Sequence, residues 1–290
     1  MSEKVLPDPR RHAYRADLAA EQLRGTVAAA RYVTGELRQV GAPSLPLRRE
    51  PRFDATLDTE SLLGETVTLF EEHEGWAWVQ LARDGYVGYM PGEGLTARIA
   101  TPTHRIAALR SYVYPEPDPK TPPLALLSLN ALVTAAKSEG KFIALAGGGY
   151  VFAGHTVPIG EAHPDFVAVA EAFLGAPYLW GGRTSVGLDC SGLVQLAVEA
   201  AGHQAPRDAD MQAAELGHPL DPDAPLQRGD LVFWEGHVGI MTSDTEFLHA
   251  NAFHMAVERE PFAIAKQRIQ EVGYEVMCVR RLPLIEQRRR

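Results

Sequence analysis

The stretch PYLWGGRTSVGLDCSG, Pro177–Gly192, runs straight into LVQLAVEAAG and restricts the fold more than any other part of the chain. Leu193, Val194, Ala197, Ala200 and Ala201 recur at three- and four-residue spacing, which predicts an amphipathic helix that stops near Gly202. Asp189 is a good N-cap, so Cys190 falls in the first turn. A helix N-terminus offers free backbone N–H groups and partial positive charge. Both favour a thiolate, which makes the sulfur a nucleophile near neutral pH. The glycines ahead of it leave room for a substrate to approach the backbone closely. The alternative for a lone cysteine is an inert thiol packed on the apolar face of the helix.

With 290 residues the chain is long enough for two or three domains, and 46% hydrophobic residues suffice for sizeable cores. The net charge of −9, without a long basic run, argues against nucleic acid or an anionic membrane as the main partner. The only cysteines are Cys190 and Cys278, so no disulfide framework is expected. The N-terminal residues have no apolar stretch of signal-peptide type, and no apolar run approaches the ~18 residues of a membrane span. A cytoplasmic location is the expectation, and a free reactive thiol fits a reducing compartment.

Residues 1–24 read as an N-terminal extension with a short helix over Tyr14–Leu23. Residues 25–98 change character. ETVTLFEE, WAWVQLA and YVGYMP are short strands rich in Val, Thr and aromatics, separated by Gly, Asp and Glu. With the Gly64-Glu65 lead-in, the Gly75-Trp76 turn and the Gly85–Tyr89 strand, this block resembles a bacterial SH3-type small barrel. Residues 99–159 read as a divergent second copy: ALVTAA, KFIAL and Gly149-Tyr150-Val151 echo the first block in order. The proline-rich loop Pro115–Pro123 cannot be a central strand.

Residues 160–290 change again. Asp165–Leu174 is apolar at helical spacing, the Cys190 helix follows, and a short helix is expected at Ala209–Leu216. Strand signals then run over Gly229–Trp234, Val238–Ser243, Thr245–Ala250 and Tyr274–Leu282. Helices followed by an antiparallel sheet indicate an α+β domain. A catalytic cysteine needs a base, and His237 and His249 sit on neighbouring strands, symmetric about Ser243. An odd loop puts them opposite each other on one face, and an even loop separates them. The first case allows a relay in which His237 takes the thiol proton and His249 orients its ring.

PYLWGG…DCSGLVQ, PRDADMQ, RGDLVFW, HVGI and FLHAN together resemble the NlpC/P60 family of papain-like cysteine peptidases. With two SH3-like barrels upstream, the whole chain is similar to the subgroup of γ-D-glutamyl-L-diamino acid endopeptidases, or dipeptidyl peptidase VI. The resemblance implies a papain-like catalytic domain with Cys190 as nucleophile, His237 as base and His249 as third residue. Asn251 competes for that third role. Tyr178 is implied beside the nucleophile, where its hydroxyl and the Cys190 N–H face the oxyanion. Trp180, Asp189 and Ser191 then line the substrate site. Arg207 is a candidate for the α-carboxylate of D-Glu and Asp208 for a substrate ammonium. From the first barrel, Glu60 (in a loop before Gly64) and Tyr86 (on the Gly85–Tyr89 strand) are candidates to read a free N-terminal amine. The implied substrate is a murein-derived peptide, L-Ala-γ-D-Glu-diamino acid, cleaved in cell-wall recycling. No cofactor and no metal are required, because the Cys/His/His set lacks the close ligand pairs of zinc sites. The alternatives are a non-catalytic module that binds wall peptides through its SH3-like domains, or a secreted wall-remodelling hydrolase.

Overall fold

The computed structural model describes residues 6–282. The chain forms two compact units. One comprises residues up to Ile106 with Ser111–Leu127 and Ala131–Thr156, and the other comprises Val157 onward with Ala107–Arg110 and Ser128–Asn130.

The first unit is all β. Its largest sheet has seven strands, in the order Leu57–Leu62, Ser44–Arg48, Val87–Pro91, Trp76–Leu81, Thr66–His73, Glu36–Val40 and Leu95–Thr96. Every pairing in it is antiparallel. The ladder ends at Leu57–Leu62 on one side and at the two-residue strand Leu95–Thr96 on the other, and these two edges do not pair, so the sheet is not a closed barrel. The strand Leu57–Leu62 carries Glu60, which therefore pairs opposite Pro46 instead of sitting in a loop. Its inward positions include the polar Thr59 and Ser61, both fully buried, which hides the usual alternation of a strand.

The expected helix at Tyr14–Leu23 is absent. Leu18–Ala20 is a strand, parallel to Arg31–Val33, and a single 3-10 turn spans Glu21–Leu23. Leu18, Ala19 and Ala20 are buried together with Phe70 and Trp78, so the extension is part of the core of this unit. Three consecutive buried residues satisfy an extended segment packed on all sides, and helical spacing does not exclude that. The remaining strands include a five-stranded sheet, in the order Ala125–Ser128, Arg110–Tyr114, Tyr150–Phe152, Phe142–Leu145 and Ala135–Glu139, with the proline-rich loop between its first two.

The second unit is α+β. Asp165 caps the helix Phe166–Glu171 by accepting from the N–H groups of Val167 and Ala168. The helix Cys190–Ala200 is buried over most of its length, because Leu193, Val194, Leu196, Ala197 and Val198 wrap apolar surface around it. It packs on the middle of an antiparallel sheet. The sheet order is His218–Pro219, Cys278–Arg281, Asp230–Trp234, His237–Met241, Glu246–Asn251 and Ala256–Pro261. The helix Ala209–Glu215 forms where the spacing predicts it. The strand Ala256–Pro261 and the helix Phe262–Glu271 complete the unit. Among the described residues no helix is long and apolar enough to cross a membrane.

Candidate active site

Asp189 starts the Cys190 helix as the sequence requires: its Oδ1 accepts from the Gly192 N–H at 2.7 Å. Its other oxygen accepts from the Gly181 N–H at 2.9 Å, which ties the PYLWGG loop to the helix start. Two glycines make this junction possible. A Cβ on Gly192 would lie 2.5 Å from the Gly182 carbonyl oxygen, and one on Gly182 would lie 2.6 Å from that of Gly187. The close approach that Gly182 and Gly192 permit is between parts of the chain itself.

Arg207 lies against the same carboxylate. Its guanidinium spans Asp189, with Nη1 to Oδ1 at 2.9 Å and Nη2 to Oδ2 at 2.7 Å, and it also donates to the Ser191 hydroxyl at 2.8 Å. Arg207 is 1% exposed. The expected reader of a substrate carboxylate is thus turned inward, where it neutralises the N-cap. Ser191 is likewise buried, its hydroxyl between Arg207 and Asp189. Asp208 occupies the N-cap position of the helix Ala209–Glu215 and is half-buried. Trp180 projects outward, 62% exposed.

Cys190 is buried, and in the resting rotamer its Sγ lies 4.0 Å from the Gly236 carbonyl oxygen. Burial pushes the thiol up to about 12, with the Asp189 charge acting in the same direction. Backbone hydrogen bonds from Val238 and Ser191 and the charge of Arg207 oppose this without overcoming it. Desolvation thus opposes the helix N-terminus at Cys190 and favours the thiol over the thiolate, against the direction expected from the N-terminus alone. Burial, then the nearness of Cys190 and Asp189, also holds the Tyr178 hydroxyl in its protonated form.

The turn Glu235-Gly236 is tight, with Gly236 at φ +69° and Trp234 paired with His237. It delivers His237 to the end of its strand. In the next hairpin Ile240 pairs with Leu248 and Met241 with Phe247, so the pairing centres on Asp244 and not on Ser243. Continued along the strands, this register sets Asn251 across from His237 and makes His249 its diagonal neighbour on the same face. The diagonal suffices for two rings: His237 Nε2 and His249 Nδ1 are 2.8 Å apart. Asn251 is occupied elsewhere. Its Oδ1 accepts from the His254 N–H at 2.8 Å, and its Nδ2 faces its neighbour's carbonyl, that of His249.

His249 continues outward to Glu260, with Nε2 to Oε1 at 2.9 Å. Arg268 clamps both oxygens of Glu260, with Nη1 to Oε2 at 2.7 Å and Nη2 to Oε1 at 2.5 Å. Burial pushes His237 down to about 3, reinforced by His249 and Arg268, and burial also lowers His249. Burial alone would raise Glu260, but Arg268 and His249 outweigh it and bring the carboxyl down to about 2. Glu260 and Arg268 belong to none of the motifs in the sequence. Phe262, Ala265 and Ile269 at helical spacing were the available signal for the helix that carries Arg268. A cavity of about 200 Å³ opens beside the pair of histidines, lined in part by Trp234, Phe253, Arg268 and Tyr274.

His249, His254 and Glu260 also place ligand-type atoms within 4.8 Å of one another. A cation there would have to displace Arg268 from Glu260 and compete for the ring nitrogen that now faces it. Glu60 and Tyr86 lie in the first unit. Glu60 is half-buried on its strand, and Tyr86 is buried immediately ahead of the strand Val87–Pro91.

Cys190 at a helix start, packed on the antiparallel sheet that bears the His237–His249 pair, is an arrangement that suits a cysteine peptidase. Residues 175–273 match the NlpC/P60 family, and residues 47–95 match the bacterial dipeptidyl-peptidase Sh3 domain. The gamma-D-glutamyl-L-lysine dipeptidyl-peptidase of Bacillus subtilis is 30% identical over 227 residues, 71% of this chain and 76% of that protein. Dipeptidyl-peptidase 6 of Lysinibacillus sphaericus is 28% identical, covering 71% of this chain and 84% of that protein. The crystal structure of an NlpC/P60 family protein from Bacillus cereus superposes with a TM-score of 0.69 at 22% identity, over 86% of this chain and all of that one (100%). The chain belongs to the NlpC/P60 family of cysteine peptidases.

Proposed function

We propose that the protein hydrolyses the γ-D-glutamyl–diamino acid bond of murein-derived peptides that begin with a free L-Ala. The observation that carries this reading is the similarity to gamma-D-glutamyl-L-lysine dipeptidyl-peptidases, which spans 71% of the chain and so extends well beyond the catalytic unit.

The Cys190 sulfur attacks the carbonyl carbon of the γ-glutamyl amide as its proton passes to His237. The oxyanion takes hydrogen bonds from the Cys190 N–H and the Tyr178 hydroxyl. His237 then protonates the leaving amine of the diamino acid, and a thioester remains on Cys190. Water, deprotonated by His237, releases L-Ala-γ-D-Glu and restores the thiol. His237 Nε2 is taken by His249, so Nδ1 is the atom left for these transfers.

Recycling in the cytoplasm belongs to this proposal, and the free thiols of Cys190 and Cys278 fit a reducing compartment. Cell fractionation tests the location, and comparison of free peptide with intact sacculi tests the substrate. Free peptide should be the better substrate; faster release from sacculi favours a wall-remodelling hydrolase. Recognition of the amino terminus is tested with L-Ala-γ-D-Glu-L-Lys and its N-acetylated form. The free peptide should be favoured by about 2–4 kcal/mol, the order of magnitude for leaving one buried charge unpaired. Glu60→Gln should narrow the gap, and equal cleavage of both peptides contradicts an ammonium reader.

A further inference from the structure

We propose that Glu260 sets the tautomers of His249 and His237, and so turns a lone pair of His237 toward the Cys190 thiol. The inference rests on the reading of Cys190 and His237 as nucleophile and base.

An ionised carboxylate only accepts hydrogen bonds. The ring nitrogen that faces it, His249 Nε2 at 2.9 Å, must therefore carry the proton. A neutral imidazole has one N–H, so His249 Nδ1 is left bare. That bare nitrogen lies 2.8 Å from His237 Nε2, which must then be the donor. His237 Nδ1 is bare in turn and can take a proton from sulfur. One charge at the end of the chain thus fixes two rings in series.

The opposite arrangement fails at both ends. With the proton on His249 Nδ1, its bare Nε2 would face a carboxylate oxygen, acceptor against acceptor. His237 would then carry its proton on Nδ1 and could accept none from the thiol. Two features keep the chain in the competent state. Arg268 holds both oxygens of Glu260 and keeps it ionised. Burial keeps both rings neutral at rest, so each has one N–H to place. When His237 takes the thiol proton, the new imidazolium donates through Nε2 to His249, whose own N–H points at the Glu260 charge. Glu260 touches no substrate in this scheme and is a positioning residue.

The test uses the full chain labelled with 15N-histidine. Two-bond proton–nitrogen spectra at neutral pH read the tautomer of each ring, with His237→Gln and His249→Gln to assign them. Both rings of the wild type should be protonated on Nε2. His237 protonated on Nδ1 overturns the proposal, whatever peptide the enzyme cleaves. Glu260→Gln keeps the shape but presents an amide that donates as well as accepts. It should mix the tautomers, lower kcat roughly 10- to 100-fold with KM within about two-fold, and slow alkylation of Cys190 by iodoacetamide. Glu260→Asp should recover part of the loss. An unchanged kcat and alkylation rate in Glu260→Gln also overturns the proposal. Should that variant not fold, Arg268→Gln leaves Glu260 in place without its clamp and should mix the tautomers partially. Besides the members of the chain itself, the charged and titratable groups that act on it are Arg268 and His254, so tautomers and rates are followed against pH. Glu260→Gln should shift the acid limb of the rate profile, which a loss of packing alone does not move. Expected tautomers in a wild type that fails to cleave the peptide contradict the proposed substrate and leave the role of Glu260 supported.

Discussion

His237 and His249 meet on a diagonal across two strands, 2.8 Å between ring nitrogens, while the position directly across from His237 falls to Asn251. The sequence admits either residue as the partner of the base. The structure favours His249, because Asn251 spends its oxygen on the His254 loop. His249→Ala should lower kcat by about 100-fold or more, within the span of general acid–base effects, with little change in KM. Asn251→Ala should cost much less. A larger loss in Asn251→Ala than in His249→Ala would reverse the assignment.

Arg207 and Asp189 form a buried ion pair at the start of the nucleophile helix. Removing one partner strands the other charge, at a cost of about 3–5 kcal/mol. Arg207→Ala should therefore lose stability in urea unfolding, and activity with it. Unchanged stability with a raised KM would return Arg207 to the role of substrate reader.

Burial of the thiol and the imidazole makes stability depend on pH in two windows. The folded-state pKa of His237 is depressed from 6.5 to about 3, so its contribution is complete above 6.5 and is lost as pH falls toward 3. Cys190 is raised from 9.0 to about 12, so its contribution is complete below 9.0 and is lost as pH rises toward 12. Thermal midpoints should be flat between these windows and fall on both sides, and Cys190→Ala should flatten the alkaline fall. An alkaline limb identical in wild type and Cys190→Ala contradicts the buried thiol. A thiol at rest also means that alkylation of the peptide-free enzyme rises with pH. A rate already at its plateau in the acid range indicates a preformed thiolate.

Gly192→Ala should be disabling although alanine favours helices. Its Cβ would meet the Gly182 carbonyl oxygen at 2.5 Å, and backbone on both sides leaves little room to yield. Overpacking of this kind costs about 1–3 kcal/mol and moves the loop that carries Tyr178 and Trp180. A variant with wild-type stability and turnover shows that the junction is looser than its geometry.

The placement of Cys190 at a helix start and of His237 and His249 on adjacent strands was legible because local chemistry dictates it. Asp189 caps a helix wherever that helix lies, and the spacing of Leu193, Val194 and Ala197 already implies a buried face. The short helix at Ala209–Glu215 and the strands around His237 and His249 followed from the same kind of signal. What was illegible depends on burial and register. Burial raises the Cys190 thiol against the pull of the helix N-terminus, and no N-cap reveals how much protein will cover it. The diagonal of the two histidines is decided by a loop centred on Asp244, one residue from the point of symmetry in the sequence. Glu260 and Arg268 come from a charged edge strand and the helix behind it, AVEREPFAIAKQRIQE, which reads as solvated surface until its partners are in place. The helix expected at Tyr14–Leu23 failed because Leu18–Ala20 is buried as an extended strand on Phe70 and Trp78.

Mass spectrometry of L-Ala-γ-D-Glu-L-Lys incubated with wild type and with Cys190→Ala tests the central claim most directly. Wild type should yield L-Ala-γ-D-Glu and free lysine, with an acid-quenched sample carrying the dipeptidyl group as a thioester on Cys190. Cys190→Ala should yield neither while keeping the wild-type circular dichroism. Release of lysine at the wild-type rate by Cys190→Ala, or cleavage between L-Ala and D-Glu instead, contradicts the claim.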